Sequence, residues 1–137
     1  MRFRCSRWKA HVPPKRPIFL YLLRHQSTPI FKIGVATDVW DRIRQLPDRI
    51  DTENSKHFLF RNPDLAPRLE KLLHTIFVDH ARPREHCKDG YTEWYDVAAL
   101  PSVLEFIDLN RDILGCGLPE GLPKRESRPR KFGQWDK

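Results

Sequence analysis

The sequence predicts a small α+β domain. Two apolar runs of strand length, 18–24 and 30–36, are separated by only five residues, which favours an antiparallel hairpin. Segments with apolar residues at helical spacing follow this hairpin. The order of elements is strand, strand, helix, strand, helix, a short extended piece and a final helix. This order is typical of one small sheet with helices packed on it.

The strands are predicted from continuous apolar runs. IFLYLLR (18–24) is typical of a strand that is buried on both faces. HQSTP (25–29) is a predicted turn, because polar residues followed by a proline break a strand. IFKIGVA (30–36) returns as the second strand and holds Lys32 among apolar neighbours. KHFLF (56–60) is the predicted third strand.

The first helix follows the hairpin directly. Thr37 or Asp38 can cap its first turn, and the helix is expected to reach about Leu46 because Pro47 follows. Val39, Ile43 and Leu46 form its apolar stripe, and Arg42 and Arg44 flank that stripe. An arginine in such a place can offer a fork of donors to phosphate oxygens. Alternatively, its methylene groups only cover apolar surface.

The second helix is predicted to begin at NPD (62–64) and to run to about Val78. At 100° per residue, Leu72, Leu73 and Ile76 lie within about 60° of Leu69, so this side is expected to be buried. The apolar residues at helical spacing are Leu65, Leu69, Leu72, Leu73, Ile76 and Phe77.

Glu70 falls on the rim of this buried side, next to Phe77 and one turn before His74. A carboxylate in that place is partly desolvated and suited to hold a metal ion. The alternative is an ordinary boundary glutamate that pairs with an arginine or with His74.

The remaining chain is predicted as a polar loop (81–92), a short extended piece TEWYDV (92–97) and a final helix that begins at Pro101. Gly115 and Gly117 are expected to end that helix. Trp94 and Tyr95 are expected in the core. The apolar residues of the final helix are Val103, Leu104, Phe106, Ile107 and Ile113.

The net charge of +7 is concentrated at the two ends of the 137-residue chain. Residues 1–17 hold six Lys or Arg and no acid, and residues 118–137 hold six against three acids. Of the totals of 25 basic and 18 acidic residues, 13 and 15 remain for 18–117. We therefore expect a basic N-terminal arm (1–17), a domain (18–115) and a basic, Pro-rich tail (116–137) that leans towards disorder.

Basic arms of this kind favour a polyanionic partner, most often nucleic acid, although they can also be solvated tails or bind an acidic protein. The three cysteines are irregularly spaced, which fits a reducing compartment, and the basic N-terminus lacks the apolar stretch of a secretory signal. We expect a cytoplasmic protein with no membrane partner, because the apolar runs are far shorter than the roughly 18 residues of a membrane helix.

Five short motifs occur in order along the predicted domain. They are FLY (19–21), KIG (32–34), Arg42, EKLLH (70–74) and EWY (93–95). In this order and spacing the chain resembles the GIY-YIG nuclease superfamily. The resemblance is to its compact phage-associated and fungal meiotic-gene branch, in which the second tyrosine is commonly lysine and an E-W-F motif closes the domain.

The resemblance implies a three-stranded antiparallel sheet flanked by helices, with the active site on a sheet face. It implies hydrolysis of phosphodiester bonds in DNA with one divalent metal ion, Mg²⁺ or Mn²⁺. Tyr21 corresponds to the tyrosine of the first motif, Lys32 to the second tyrosine, Arg42 to the family arginine and Glu70 to the metal-binding carboxylate.

The residue types suit that chemistry. Tyr21 or Lys32 could accept the proton of an attacking water, and these two alternatives stay open. If Lys32 stays protonated, it is a stabiliser of negative charge instead. Arg42 would stabilise charge on the phosphate, and the Glu70 carboxylate is a hard oxygen ligand that suits Mg²⁺.

The chain departs from the family pattern in two places. The first motif is FLY rather than GIY, and Leu46 stands where many members carry a helix histidine. Arg44, His57 and His74 are further candidates for substrate binding. The alternative to an active nuclease is a nucleic-acid-binding module that keeps the fold and cuts weakly or not at all.

Overall fold

The computed structural model describes residues 16–82 and 94–122. Predictions on the arm 1–15, on the loop 83–93 with Glu93 of the EWY motif, and on the tail 123–137 lie outside the described residues. Among those that are described, no helix has the length and apolar character that crossing a membrane requires.

The α+β class is confirmed, and the sheet is antiparallel with helices packed on it. It has four strands rather than three, in the order β3-β1-β2-β4, because the short extended piece pairs with β2 at Ile30, Phe31 and Lys32. The strands are β1 (Phe19–His25), β2 (Ile30–Ala36), β3 (Ile50–Leu59) and β4 (Trp94–Asp96). The helices are α1 (Val39–Gln45), α2 (Leu65–Ile76), α3 (Leu100–Leu109) and α4 (Arg111–Leu114), with 3₁₀ turns at Val78–His80 and Val97–Ala99.

The sheet has two covered faces. On the α2 face, apolar side chains of β1, β2 and β3 pack against α2 and α3; this main core includes Leu20, Leu22, Phe31, Ile33, Phe58, Leu69, Leu73, Tyr95, Val103 and Ile107. On the α1 face, a smaller cluster joins Tyr21 and Leu23 of β1 to Val39 of α1. Successive residues of a strand point to opposite faces, so the continuous apolar run of β1 fills both clusters.

The cap of α1 confirms one of the two predicted residues. The side chain of Asp38 accepts a hydrogen bond from the backbone N–H of Asp41 at 3.0 Å, and the backbone N–H of Arg42 donates to the carbonyl of Asp38 at 3.1 Å. The helix ends at Gln45, and Leu46 is its C-terminal cap. Asp38 therefore fixes where Arg42 emerges from the helix.

The predicted third strand was too short, because β3 begins at Ile50 rather than at 56. Its first half is polar and carries no alternating apolar pattern, so periodicity predicts no strand there. The pairing with β1 shifts register between Leu22 and Arg24. Ser55 fills this irregularity: its hydroxyl accepts the N–H of Arg24 at 2.9 Å and donates to the carbonyl of Asp51 at 2.7 Å.

The prediction for the buried side of α2 was right for Leu69 and Leu73 and wrong for Leu72 and Ile76. Leu72 and Ile76 are 45% and 47% exposed, whereas the buried residues of the helix and its cap are Ala66, Leu69, Leu73 and Phe77. On the helical wheel these four centre about 45° from Leu69, on the side towards Glu70. The rotation brings Glu70 closer to the sheet than the sequence pattern suggests.

The final helix is two helices rather than one. The break lies at Asn110, whose side-chain amide donates to the Phe106 carbonyl at 2.8 Å and competes with the helical pattern. Gly115 then ends α4 with a φ of 64°, a left-handed conformation that glycine adopts without strain.

The chain beyond α4 lies along the outer edge of β3. Backbone bridges join Phe60 to Cys116 and His57 to Glu120, and the last described residue, Leu122, packs against the α1-face cluster. Residues 116–122, assigned to the tail from the sequence, therefore add to the sheet edge. The chain leaves the described structure on the α1 face.

The corrected orientation of α2 predicts unequal effects for two neighbouring leucines. We expect Leu73→Ala to lower the free energy of unfolding by about 2–5 kcal/mol, because a fully buried side chain leaves a cavity. Leu72→Ala should change it by less than about 1 kcal/mol. Urea unfolding followed by circular dichroism measures both, and equal losses would contradict the observed orientation.

Candidate active site

Tyr21 lies at the centre of the sheet on the α1 face. Its direct cross-strand neighbours are Gly34 in β2 and His57 in β3, and its side chain is 1% exposed. A Cβ atom on Gly34 would overlap the hydroxyl and the ring of Tyr21. Gly34 is therefore required here because the tyrosine ring lies flat across the strand at that residue.

Arg42 contacts the same tyrosine. Its Nε–H donates a long hydrogen bond of 3.4 Å to the Tyr21 hydroxyl, and Nη1 lies 3.5 Å from Oε1 of Gln45. The side chain is only partly exposed. The structure thus brings together two of the residues that the sequence singles out, and it places the guanidinium beside the phenol oxygen.

Lys32 lies on the same face, two residues before Gly34, and is fully buried. Its Nζ is 5.7 Å from the centroid of the Trp94 ring, so the aromatic face contacts the ammonium group in a cation–π arrangement. Trp94 and Tyr95 are both buried, which confirms the prediction that they are core residues. Contact between Lys32 and a phosphate stays a prediction.

His25 and Asp48 were missed from the sequence, where they fall in predicted loop segments. His25 Nδ1 accepts the backbone N–H groups of Ser27 and Thr28 at 3.2 and 3.0 Å, so Nε2 carries the proton that Asp48 accepts at 3.2 Å. The His25 ring also meets the Trp94 ring edge-on at 5.6 Å. This pair holds the β1–β2 turn in place and contacts the Trp94 ring. It could not be found from the sequence, because His25 and Asp48 are 23 residues apart and meet only in the folded chain.

Glu70 lies in a second group, on the α2 face. Nε2 of His74, one helical turn later, is 3.4 Å from Oε2 of Glu70. Nδ1 of the same ring makes a short hydrogen bond with the Tyr95 hydroxyl, and the two rings stack at 5.4 Å between centroids. The structure shows the pairing of Glu70 with His74 that the sequence suggested as the alternative to metal binding. The contact of His74 with Tyr95 was not predicted from the sequence.

The two groups lie on opposite faces of the sheet: Tyr21 is in the α1-face cluster, and α2, which carries Glu70, packs on the other face. Helix α2 begins six residues after β3 ends, at the end of the sheet where Phe19 pairs with Ala36. It reaches β4 at His74, which contacts Tyr95, the residue that pairs with Phe31.

In the described residues, β4 pairs only with Ile30, Phe31 and Lys32. The stretch Ile33–Ala36 of β2 therefore forms the uncovered end of that edge in this part of the chain. Tyr21 crosses over Gly34, within this stretch, on the α1 face.

Two of the other candidates have different surroundings. Arg44 is exposed and pairs with Asp41 at 2.6 Å on the outside of α1. His57 is buried, with its ring edge-on to Phe19 at 5.1 Å and its Nδ1 without a hydrogen-bond partner in the described residues. Substrate binding by Arg44, His57 and His74 stays a prediction.

Asp96 fastens the short strand β4. Its carboxylate accepts the backbone N–H of Ala98 at 3.0 Å and pairs with Arg82. The hydrogen bond from Ala98, and then the charge of Arg82, lower the pKa of Asp96. A lowered pKa means that this interaction supports the fold above the ordinary carboxyl pKa and is lost as the pH falls through the lowered value.

The donor set suits a magnesium-like ion rather than zinc. Within residues 16–82 and 94–122, no group of three or more His, Cys, Asp or Glu side chains is arranged to hold a metal. Mg²⁺, however, keeps most of its waters and commonly takes one or two protein carboxylates together with substrate phosphates. The partly exposed Glu70 carboxylate fits that role.

The sequence profile of the T5orf172 domain matches residues 18–111, which is more than half of the chain. The chain belongs to this family. T5orf172 is a phage-associated domain of endonuclease-like type. Comparisons with curated proteins and with solved structures give no match.

The contact between Gly34 and Tyr21 predicts that substitutions at these two positions change the free energy of unfolding in a coupled, non-additive way. Gly34→Ala should lower the free energy of unfolding by about 1–3 kcal/mol through overpacking, and less in a Tyr21→Ala background where the ring is gone. Gly121→Ala is the control, because no atom lies within 4 Å of its added Cβ. A double-mutant cycle by urea unfolding measures the coupling, and additive effects would contradict the proposed contact.

Proposed function

We propose that this member of the T5orf172 domain family is a metal-dependent endonuclease of GIY-YIG type that hydrolyses phosphodiester bonds in DNA. The observation that carries the proposal is the contact of Tyr21 with Gly34 and Arg42. A core tyrosine needs neither a glycine beneath its ring nor a guanidinium at its hydroxyl. Both features are useful where a phenol oxygen takes part in a reaction with an anionic substrate.

The proposed chemistry begins with Arg42. Its guanidinium presents planar donors that match the oxygens of a phosphate, and it already lies within hydrogen-bond distance of Tyr21. The Tyr21 hydroxyl oxygen is the proposed acceptor of the proton of an attacking water. Lys32 is the alternative base or charge stabiliser; both side chains are buried, and the contact with Arg42 makes Tyr21 the first candidate.

Glu70 is the proposed ligand of Mg²⁺ or Mn²⁺. In this proposal the partly exposed Glu70 carboxylate on the α2 face and Tyr21 on the α1 face both serve one phosphate at the β2 edge of the sheet. Such an ion, when bound, supplies positive charge that stabilises the negative charge gathered on the phosphate oxygens. A DNA strand lying along this edge would meet Arg42 and Glu70 together.

The basic arms support nucleic acid as the substrate. The N-terminal arm joins the sheet just before Phe19, and the tail leaves the described structure at Leu122, which packs on the α1-face cluster. Residues 123–137 hold six Lys or Arg against two acids. The tail thus begins next to the face that holds Tyr21 and Arg42, and the positive charge at both ends of the chain would attract a phosphate backbone.

A second candidate function is a nucleic-acid-binding module without cleavage activity. Two observations favour it: Lys32 is fully buried, and Leu46 packs in the α1-face cluster where many GIY-YIG nucleases carry a histidine. Such a protein would still use its fold and its basic arms to bind nucleic acid.

Cleavage of supercoiled plasmid in Mg²⁺ or Mn²⁺ tests the proposal. We expect Arg42→Lys and Glu70→Gln each to lower the cleavage rate by about 100-fold or more, because each removes stabilisation of the transition state. The matched controls are Arg49→Lys and Glu105→Gln, two exposed residues away from this edge.

A chelator should abolish cutting by the wild type. Cutting that is equal in all four variants would show that the site has been placed wrongly. If no protein cuts while all bind DNA, the binding-module function is the correct one.

The basic charge of the tail predicts that the tail contributes to the salt dependence of DNA binding. Replacing Lys124, Arg125, Arg128 and Arg130 with alanine should reduce the slope of log K against log salt by about 0.9 for each phosphate that the tail no longer neutralises. Fluorescence anisotropy on labelled DNA measures the slope. The cleavage rate at saturating DNA should stay unchanged, and an unchanged slope would remove the tail from the binding surface.

A further inference from the structure

Tyr95, His74 and Glu70 form a continuous hydrogen-bonded chain that runs from the core to the surface. Tyr95 is 1% exposed, whereas the side chains of His74 and Glu70 are 24% and 19% exposed. The phenol contacts His74 Nδ1, and His74 Nε2 contacts Oε2 of Glu70 at 3.4 Å. The buried end is thus a neutral hydroxyl, and the surface end is a carboxylate.

The buried end of this chain is firmly held. Tyr95 sits in β4, opposite Phe31, with the two ring centroids 5.9 Å apart, and its ring stacks on His74 at an interplanar angle of 23°. Stacking fixes the plane of the imidazole, and the hydroxyl fixes its rotation. His74 therefore has one favoured orientation, although it lies at the surface of α2.

The order of donors along the chain follows from the chemistry of its ends. An ionised carboxylate only accepts, so Nε2 of His74 carries the proton that Glu70 receives. Nδ1 of a neutral imidazole is then an acceptor, and the Tyr95 hydroxyl is its donor. With the donors in this order, Oε2 of Glu70 accepts a hydrogen bond from His74, and Oε1 takes no part in the chain.

We propose that Tyr95 and His74 are positioning residues that orient the Glu70 carboxylate for a divalent cation. The inference rests on the proposed function, in which Glu70 is the metal ligand. A glutamate has three rotatable side-chain bonds, and a donor at one oxygen restricts the directions in which the other can bind. Hydrogen-bond partners of metal ligands commonly change metal affinity by about 10–100-fold when they are removed.

Binding of Mn²⁺ to the full chain, followed by the electron paramagnetic resonance signal of the free ion, tests the inference without DNA. We expect Tyr95→Phe, which removes only the hydroxyl, to weaken Mn²⁺ binding about tenfold. Thr75→Val is the matched control: it removes a hydroxyl that donates to the Lys71 carbonyl at 3.1 Å, one residue after His74. This control should bind Mn²⁺ like the wild type.

A merely structural role would not produce the second expected result. Because the two residues act through the same carboxylate, Tyr95→Phe combined with His74→Ala should weaken Mn²⁺ binding no more than His74→Ala alone. Additive losses, or wild-type affinity in Tyr95→Phe, would overturn the inference.

Glu70→Gln separates this inference from the proposed function. If Glu70→Gln binds Mn²⁺ as tightly as the wild type, the metal role of Glu70 is wrong, and the positioning role is lost with it. If Glu70→Gln weakens binding while Tyr95→Phe does not, only the positioning role is wrong. Nitrogen-15 shifts of the His74 ring should show the Nε2–H tautomer in the wild type, and the Nδ1–H tautomer would also overturn the inference.

Discussion

The candidate site depends on the close approach of the Tyr21 ring to the backbone of Gly34. Any larger residue at 34 would displace the ring, because its Cβ would overlap the phenol. The hydroxyl then meets Arg42, whose place on α1 is set by the Asp38 cap four residues earlier. One glycine in β2 therefore allows a strand, a tyrosine and a helix residue to meet at one point.

The second feature of the fold is the incomplete cover of β2. Strand β4 is only three residues long, so in the described residues it covers β2 at Ile30–Lys32 and not beyond. The observed orientation of α2 leaves Leu72 and Ile76 exposed, whereas Leu69 and Leu73 are buried against the sheet.

Lys32 shows how a charged residue is accommodated in this sheet. It is fully buried and contacts the ring of Trp94, which the His25 ring also meets edge-on. A cation–π contact of a desolvated ammonium contributes about 2 kcal/mol, which offsets part of the cost of burying the charge. Trp94 thus stabilises Lys32 of β2 through a contact from β4, the short strand that Asp96 holds in place.

The sequence by itself determined the α+β class and the hairpin and limited the cap of α1 to Thr37 or Asp38, because local periodicity and capping preferences carry that information. The roles of Tyr21, Arg42 and Glu70 come from motif order and stay predictions. The sequence did not determine the start of β3 or the buried side of α2, since a polar strand and a helix with apolar residues on two sides lack a unique pattern. Only the tertiary structure joined Tyr95 to His74 and Trp94 to Lys32. These contacts arise from strand register and helix rotation, and both are decided by packing across the whole sheet.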